Sequence, residues 1–487
     1  MDSFVERNQR LVSKRQLFFI TLGMIFFVLF NGVCTQHQSM ISTLFFVLAL
    51  PLTFYIAMYP IANINFKSIY SVLDPRIWLP ISYVIYFVVL PCISIFFDSK
   101  YSTYNDEIPQ VMLSTVLGII SLQLGLHLFK SRLKSIEKEI PLDKYATALL
   151  LLFTLIIHGY YWYWRIDNGY FFTHSAGYSP AANIETGIRD LLGGSVICVP
   201  LVILAVAYRN EHWKNIIALH LFVVYSSVIV ILNILSGQIR SLFFFSLMIL
   251  ALSVYMSQSN QLIWRRIRIV IPFLFVGTVI FVYTLRYSAS IIGEAENPVK
   301  YVLLNLPDIV QVGRETAEET DGVKSLVLYR IFMTQEFFLN TVRALNDENS
   351  SYGYGSYTMR NLPIVIPRLL WPEKGRIDDT EDIIQEDVLH ANPIDLSLTP
   401  LTQFYAEGSI FGVLISFFLV GLITDFVHKV CFSIKNRIGG LVCWVVILGS
   451  IIQFENNIPI ELLLGIRNGL LFVALAYIAS ALTWVQR

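Results

Sequence analysis

Two arginines and one glutamate stand where apolar runs meet polar sequence, two more arginines lie in the polar stretch between, and their chemistry is that of phosphate recognition and proton transfer. Ser236-Gly237-Gln238-Ile239-Arg240-Ser241 puts Arg240 in a very short turn at the start of an apolar run. Arg286 closes the following run in Tyr283-Thr284-Leu285-Arg286-Tyr287, and Arg330 and Arg368 lie in the polar stretch beyond it. A guanidinium is planar and permanently charged, and its paired N–H groups bind phosphate oxygens better than an ammonium does. A departing diphosphate needs such neutralisation, from arginines or from a divalent cation. One arginine at a membrane boundary also snorkels to the headgroups with no further role, but several on one face are harder to explain in that way. Glu407 falls just inside the next apolar run, in Thr399-Pro400-Leu401-Thr402-Gln403-Phe404-Tyr405-Ala406-Glu407-Gly408. An ionised carboxylate there is costly unless it is used or paired. Glu407 is the first candidate for a general base on a hydroxyl, with an ion pair to one of the arginines as the alternative. His390, in Leu389-His390-Ala391-Asn392, is the second candidate base.

The elements that must position these residues are membrane helices. At 487 residues, 55% hydrophobic, 14% charged and mean hydropathy +0.62, the chain has the composition of an all-α polytopic membrane protein. A formal net charge of zero argues against a nucleic-acid partner. Runs long enough to span a bilayer occur near 17–33, 40–60, 76–97, 109–130, 145–164, 188–208, 214–235, 239–257, 267–286, 402–427, 438–455 and 462–484. That makes twelve spans, although closely spaced pairs such as 214–235 with 239–257 leave ten or eleven open. Alternate loops are basic: Lys130, Arg132, Lys134, Lys138 and Lys144 in one, Arg265, Arg266 and Arg268 in another, Lys429, Lys435 and Arg437 in a third. The positive-inside rule then places both termini in the cytoplasm. The first run follows Arg7, Arg10, Lys14 and Arg15 without a small-residue cleavage site, and is read as an uncleaved signal anchor. The chain divides into nine spans over 1–286, a large outer loop over 287–401 and three spans over 402–487.

The 287–401 loop holds 18 acidic residues against nine basic, a balance suited to the outer side. Within it, 324–345 has helical apolar periodicity interrupted by Arg330, Glu336 and Arg343, which predicts an amphipathic helix lying at the outer membrane interface. Residues 350–357 form a turn rich in Gly and Tyr, with Gly353 and Gly355. Asp378, Asp379, Glu381 and Asp382 are read as a solvated acidic run rather than a metal site. Tyr160-Tyr161-Trp162-Tyr163-Trp164 ends the fifth span as an interfacial aromatic belt, with a carbohydrate platform as the alternative. The five cysteines are scattered without C-x-x-C spacing, which predicts neither a zinc site nor a disulfide framework. Gly412 and Gly421 in the tenth span allow close helix packing.

In order along the chain come a Gly-x-x-Arg turn at 237–240, Arg286 and Arg330. They are followed by Ile366-Pro367-Arg368-Leu369-Leu370-Trp371-Pro372-Glu373-Lys374 and a Thr-Pro…Tyr-x-x-Gly…Gly segment at 399–412. This order resembles the Wzy-type O-antigen polymerase family, the oligosaccharide repeat-unit polymerases, over roughly Ser236 to Gly421. Many members of that family carry an acid two residues before the tyrosine of the last motif, where this chain has Gln403, with Glu407 two residues after it. The resemblance implies a glycosyltransferase of the membrane C type in the inner membrane of a Gram-negative bacterium. It would join repeat units carried on undecaprenyl diphosphate, moving the growing chain onto a newly flipped unit. In that mechanism Arg240, Arg286 and Arg330 stabilise the departing diphosphate. Arg360, Arg368, Trp371 and Tyr405 shape the substrate side, and Glu407 or His390 takes the acceptor proton. Partners would include a flippase and a chain-length regulator.

Metal-using transferases of this type generally keep an acidic pair in the first outer loop. Here that loop is Cys34-Thr35-Gln36-His37-Gln38-Ser39, so metal-free catalysis with an arginine clamp, and no cofactor, is expected. Two rivals stand beside this reading. An O-antigen ligase uses the same donor on a lipid A–core acceptor and generally carries an essential loop histidine, which makes His390 the discriminating residue. A lipid-linked oligosaccharide flippase would show repeat symmetry and mid-span ionisable residues, for which the sequence gives little sign.

Overall fold

A computed structural model describes residues 16–25, 40–61, 68–92, 103–128, 144–167, 198–209, 215–235, 239–257, 335–347, 350–367, 379–392, 398–452 and 457–485, with single positions between them. Among these residues there are helices and no strands. In chain order they are α1 (Gln16–Ile25), α2 (Met40–Ile61), α3 (Ile69–Val72), α4 (Pro75–Val84), α5 (Ile108–Leu128), α6 (Lys144–Asp167), α7 (Cys198–Arg209), α8 (Asn215–Leu235) and α9 (Ile239–Ser257). The second half comprises α10 (335–346), α11 (Ser356–Asn361), α12 (Thr380–Asp387), α13 (Pro400–Ser433), α14 (Arg437–Ile451) and α15 (Ile458–Val485). Continuous apolar sequence leaves a helix as the one local way to satisfy every backbone N–H and C=O in lipid. Seven helical stretches are long and apolar enough to cross a membrane, beginning at Ile41, Ile69, Ile108, Lys144, Ile216, Pro400 and Ile458. Gln16–Ile25, Cys198–Arg209, Phe244–Met256 and Arg437–Ile451 are shorter apolar helices. The chain is therefore a polytopic α-helical membrane protein; the run expected at 267–286 lies outside the described residues.

The centre of the bundle is α5 packed on α13. Gly125 and Gly421 face each other so closely that a methyl group on Gly421 would lie 2.5 Å from the Leu122 carbonyl oxygen, and one on Gly125 would meet the Phe418 carbonyl. Glycine is required here because backbone meets backbone. Tyr83 and Phe417 fill the space over Gly118, and the Tyr83 hydroxyl donates to Thr115 O at 2.7 Å. The two helices run parallel: Tyr405 reaches Gln110 at one end, and Gly421 meets Gly125 toward the other. Parallel membrane helices begin on the same side, so the polar segments before Ile108 and before Pro400 share one face.

The opposite end of the bundle closes on different contacts. Asp74 caps α4 by accepting from the Arg76 amide at 2.9 Å, and it pairs with the Arg76 guanidinium at 2.5 Å. The Trp444 indole donates to Leu73 O at 2.7 Å, and Lys429 pairs with Asp425 near the end of α13. The antiparallel hairpin α14–α15 packs Gly469 on Cys443 and Gly465 on Ile447.

Two sequence expectations are revised. The helical part of the 324–345 segment, α10, does not lie free at the membrane surface. Phe337, Phe338, Leu339 and Val342 are buried in the core, and Phe338 packs edge-on against Tyr405. Its polar face is tied to the start of α5, Arg343 to Glu107 at 2.6 Å and Asn340 to Tyr104 at 3.0 Å. A stripe wide enough to be amphipathic fits a protein groove as well as a lipid surface, and periodicity alone does not choose. Within the aromatic cluster, Tyr160 and Tyr163 are exposed as a belt requires. Trp162 instead turns inward and donates to His158 Nε2 at 2.5 Å.

Candidate functional site

The site forms where α13 breaks. Thr399 caps the helix by accepting from the Thr402 amide, and Pro400 fills the first turn, where no N–H is needed. Eight residues later the helix is interrupted: Gly408 is extended, and Ser409 takes φ 56° and ψ −147°, a left-handed conformation rare outside glycine. The break frees backbone carbonyls, and the Gly/Tyr turn of the large loop supplies their donors. Gly353 N–H donates to Ala406 O at 3.0 Å and Tyr354 N–H to Glu407 O at 2.7 Å. A bonded carbonyl at an irregular point is what a membrane helix needs to tolerate the break.

Glu407, the last residue before the break, is buried, and its side chain reaches the same turn. Oε2 accepts from the Gly355 amide at 2.6 Å and Oε1 from the Thr358 amide at 2.7 Å. These are first-turn N–H groups of α11, whose own N-cap residue is Gly355 at φ 91° and has no side chain to cap with. Glu407 therefore serves as a borrowed N-cap, its charge set against the positive end of the short helix. Gly353 leaves the room for this: a methyl group there would lie 2.7 Å from Glu407 Oε2 and 2.6 Å from the Tyr357 ring. The arginines considered from sequence as its ion-pair partners have side chains outside the described residues; the partners seen are backbone amides.

Gln403 lies one helical turn before Glu407 and bonds the same turn, its Nε2 donating to Thr358 Oγ1 at 2.8 Å. Its Oε1 is buried without a partner among the described residues. Tyr405 points the other way, into the packing between α10 and α5, with its hydroxyl on Gln110 at 2.8 Å. The same Gln110 oxygen accepts from Asn346 Nδ2 at 3.2 Å, so Gln110 joins the loop to both central helices. Tyr357 is buried over the turn, and burial, with the Asp387 and Glu407 charges adding, pushes its hydroxyl up to about 12.

The other expected site residues are placed unevenly. Arg360 is half exposed and pairs with Asp387 at 2.5 Å. His390 ends the α12 segment on the surface with φ 50°, its Nε2 at 3.4 Å from Ser350 Oγ. Trp371 is exposed. The backbone of Arg240 opens α9, but its side chain lies outside the described residues, as do Arg286, Arg330 and Arg368 altogether. The acidic run is a helix start: Asp379 precedes α12, Glu381 and Asp382 sit in its first turn, and Glu381 accepts from the Leu398 amide. Among the described residues no cluster of three or more His, Cys, Asp or Glu could hold a metal ion.

Sequence reading missed Arg467. It lies nine residues into α15, and its guanidinium donates to Val365 O of the loop at 2.8 Å and to Asn468 Oδ1 at 3.0 Å. The signal was available: an arginine ten residues into an apolar run is a candidate by position alone. Asn457 and Asn361 also meet on Thr380 Oγ1, at 2.7 and 2.9 Å, binding the start of α15 to α11 and α12.

No protein-family model, curated protein or solved structure matches the chain.

Proposed function

We propose that this protein is a membrane glycosyltransferase that polymerises oligosaccharide repeat units carried on undecaprenyl diphosphate, working at the outer face of the inner membrane. The reading is supported by the order of motifs from Ser236 to Gly421 together with one structural observation. The large loop folds back onto the broken opening of α13, so that Glu407, Gln403 and Tyr357 gather at the end of the bundle where α5 and α13 begin. A loop held over a helix break at a membrane boundary gives a place where a lipid diphosphate can enter sideways while its glycan stays in water.

In this reading Arg240, Arg286 and Arg330 neutralise the leaving diphosphate. Glu407 accepts the proton of the attacking hydroxyl through lone pairs not used by the two amides. The balance is simple: the acceptor oxygen forms the new glycosidic bond, the bond from the anomeric carbon to the diphosphate breaks, and the proton passes to Glu407. The arginines supply the charge that a divalent cation would otherwise bring, so elongation is expected to survive EDTA.

The deciding experiment is elongation of purified lipid-linked repeat units by the protein in liposomes. Ladder products from the wild type, lost in Glu407→Gln, carry the proposal. Transfer of preformed polymer to lipid A–core, lost in His390→Ala, would assign a ligase instead. Movement of the lipid-linked unit across the bilayer without new glycosidic bonds would assign a flippase.

A further inference from the structure

The surface of the large loop carries an apolar strip that the proposed chemistry does not use. Met359 at the end of α11, Leu362 and Ile366 in and after the 3-10 turn Leu362–Val365, and Leu370 and Trp371 beyond it are all exposed, Leu370 by 76%. A loop standing in water carries mostly polar and charged side chains on its surface; here large apolar side chains succeed one another.

The strip's attachment shows what it faces. Val365 accepts from Arg467 on α15. Arg467 falls between Leu463 and Leu470, at helical spacing on the same face, and both leucines are exposed there. That face continues through Tyr477, Ile478 and Leu482, the outward stripe of a membrane span. The strip is thus docked on the lipid-facing side of α15, about 14 Å along the helix from Ile458 at 1.5 Å per residue. α15 at 28 residues is about 42 Å long against a hydrocarbon core of about 30 Å, so with its excess length on the loop side Arg467 lies at the boundary. Charge points the same way. Residues 360–376 carry four basic residues and one acid, whereas the rest of the 287–401 stretch carries five and 17. A basic, Trp-containing apolar strip suits phospholipid headgroups with acyl chains beneath them.

We infer that the strip formed by Met359, Leu362, Ile366, Leu370 and Trp371 lies in the headgroup layer of the leaflet on the loop's side and is covered by phospholipid, with Arg467 as its anchor to α15. The membrane-surface role expected for 324–345 belongs to this strip, and Trp371 is an interfacial residue rather than part of the glycan side. The inference does not depend on the reaction catalysed.

Photo-crosslinking in native membranes tests it. Benzoylphenylalanine is introduced at Leu370, with Met359 as a second site in case that variant fails to fold. Leu470 on the lipid face of α15 serves as positive control and exposed Glu386 on α12 as water-facing control. Mass spectrometry of the irradiated full-length protein should find phospholipid adducts at 370 and 470 and lose them at 386. Adducts to a second protein at 370 would overturn the inference in favour of a protein partner. Lipid adducts at 470 with none at either 370 or 359 would overturn it outright.

Discussion

Glu407 caps a helix whose N-cap residue, Gly355, lies 52 residues earlier: its Oε2 lies 2.6 Å from the amide of Gly355, and its Oε1 receives the Thr358 amide. The pair turns a helix break in the membrane bundle and a glycine-rich turn in a polar loop into one structural unit. Neither half satisfies its backbone alone. α13 supplies two freed carbonyls and a carboxylate, and the turn supplies four N–H groups to meet them.

Replacing Glu407 should therefore release the turn as well as stop turnover. Glu407→Gln sets an NH₂ group against one of two N–H donors, and a buried group left unpaired costs roughly 1–3 kcal/mol. Limited proteolysis in detergent should cut the variant faster within 350–358 than the wild type, with the membrane helices intact. Unchanged cutting and unchanged elongation together would remove Glu407 from both roles.

The glycine contact between the central helices should be equally sensitive. Gly125→Ala drives a methyl group into the Phe418 carbonyl, and overpacking of this kind costs about 1–3 kcal/mol. Gly159→Ala in α6 has open space around the added carbon and should be neutral or gain up to about 1 kcal/mol from helix propensity. Thermal unfolding of the two variants side by side checks the contrast; equal melting temperatures would deny the α5–α13 contact.

Tyr357 predicts the direction of a pH effect. Its hydroxyl is raised from 10.0 to about 12, chiefly by burial, so the native state holds a proton that the unfolded chain has released. The native advantage is fully present below pH 10 and is lost as pH rises through about 12, so stability falls across that window. Tyr357→Phe should flatten the fall in melting temperature between these limits. A slope identical to wild type would show that Tyr357 titrates normally.

For the arginines the expected loss is roughly 2–4 kcal/mol of transition-state stabilisation each, about thirtyfold to a thousandfold in rate. Arg240→Ala, Arg286→Ala or Arg330→Ala should leave cells with at most one repeat unit on lipid A–core while the protein remains in the membrane. Lys at the same positions should rescue in part, keeping the charge without the bidentate fork. Full-length polymer from all three Ala variants would eliminate the diphosphate site.

Sidedness has its own check. A cysteine replacing exposed Asp347, just after α10, should react with an impermeant thiol reagent in intact spheroplasts. Labelling only after lysis would reverse the orientation and move the proposed site to the cytoplasm.

Much of the architecture was legible in the sequence because the bilayer constrains it so strongly. Apolar runs have few alternatives to helix, and the expected spans at 40–60, 109–130, 402–427 and 462–484 coincide with α2, α5, α13 and α15. Gly421 was legible as a packing residue, and Glu407 as a carboxylate needing a partner, since burial of charge is costly wherever it occurs. The partner was not legible. Only the tertiary structure brings the Gly355 and Thr358 amides to Glu407, because a backbone N–H carries no mark in the residue alphabet. The same limit misplaced the amphipathic helix: 324–345 and 359–371 both offer apolar side chains beside arginines, and periodicity does not distinguish a protein groove from a lipid surface. The structure decided the first through a contact far apart in sequence, Phe338 on Tyr405, and Val365 on Arg467 is the contact from which the surface role of the second is inferred.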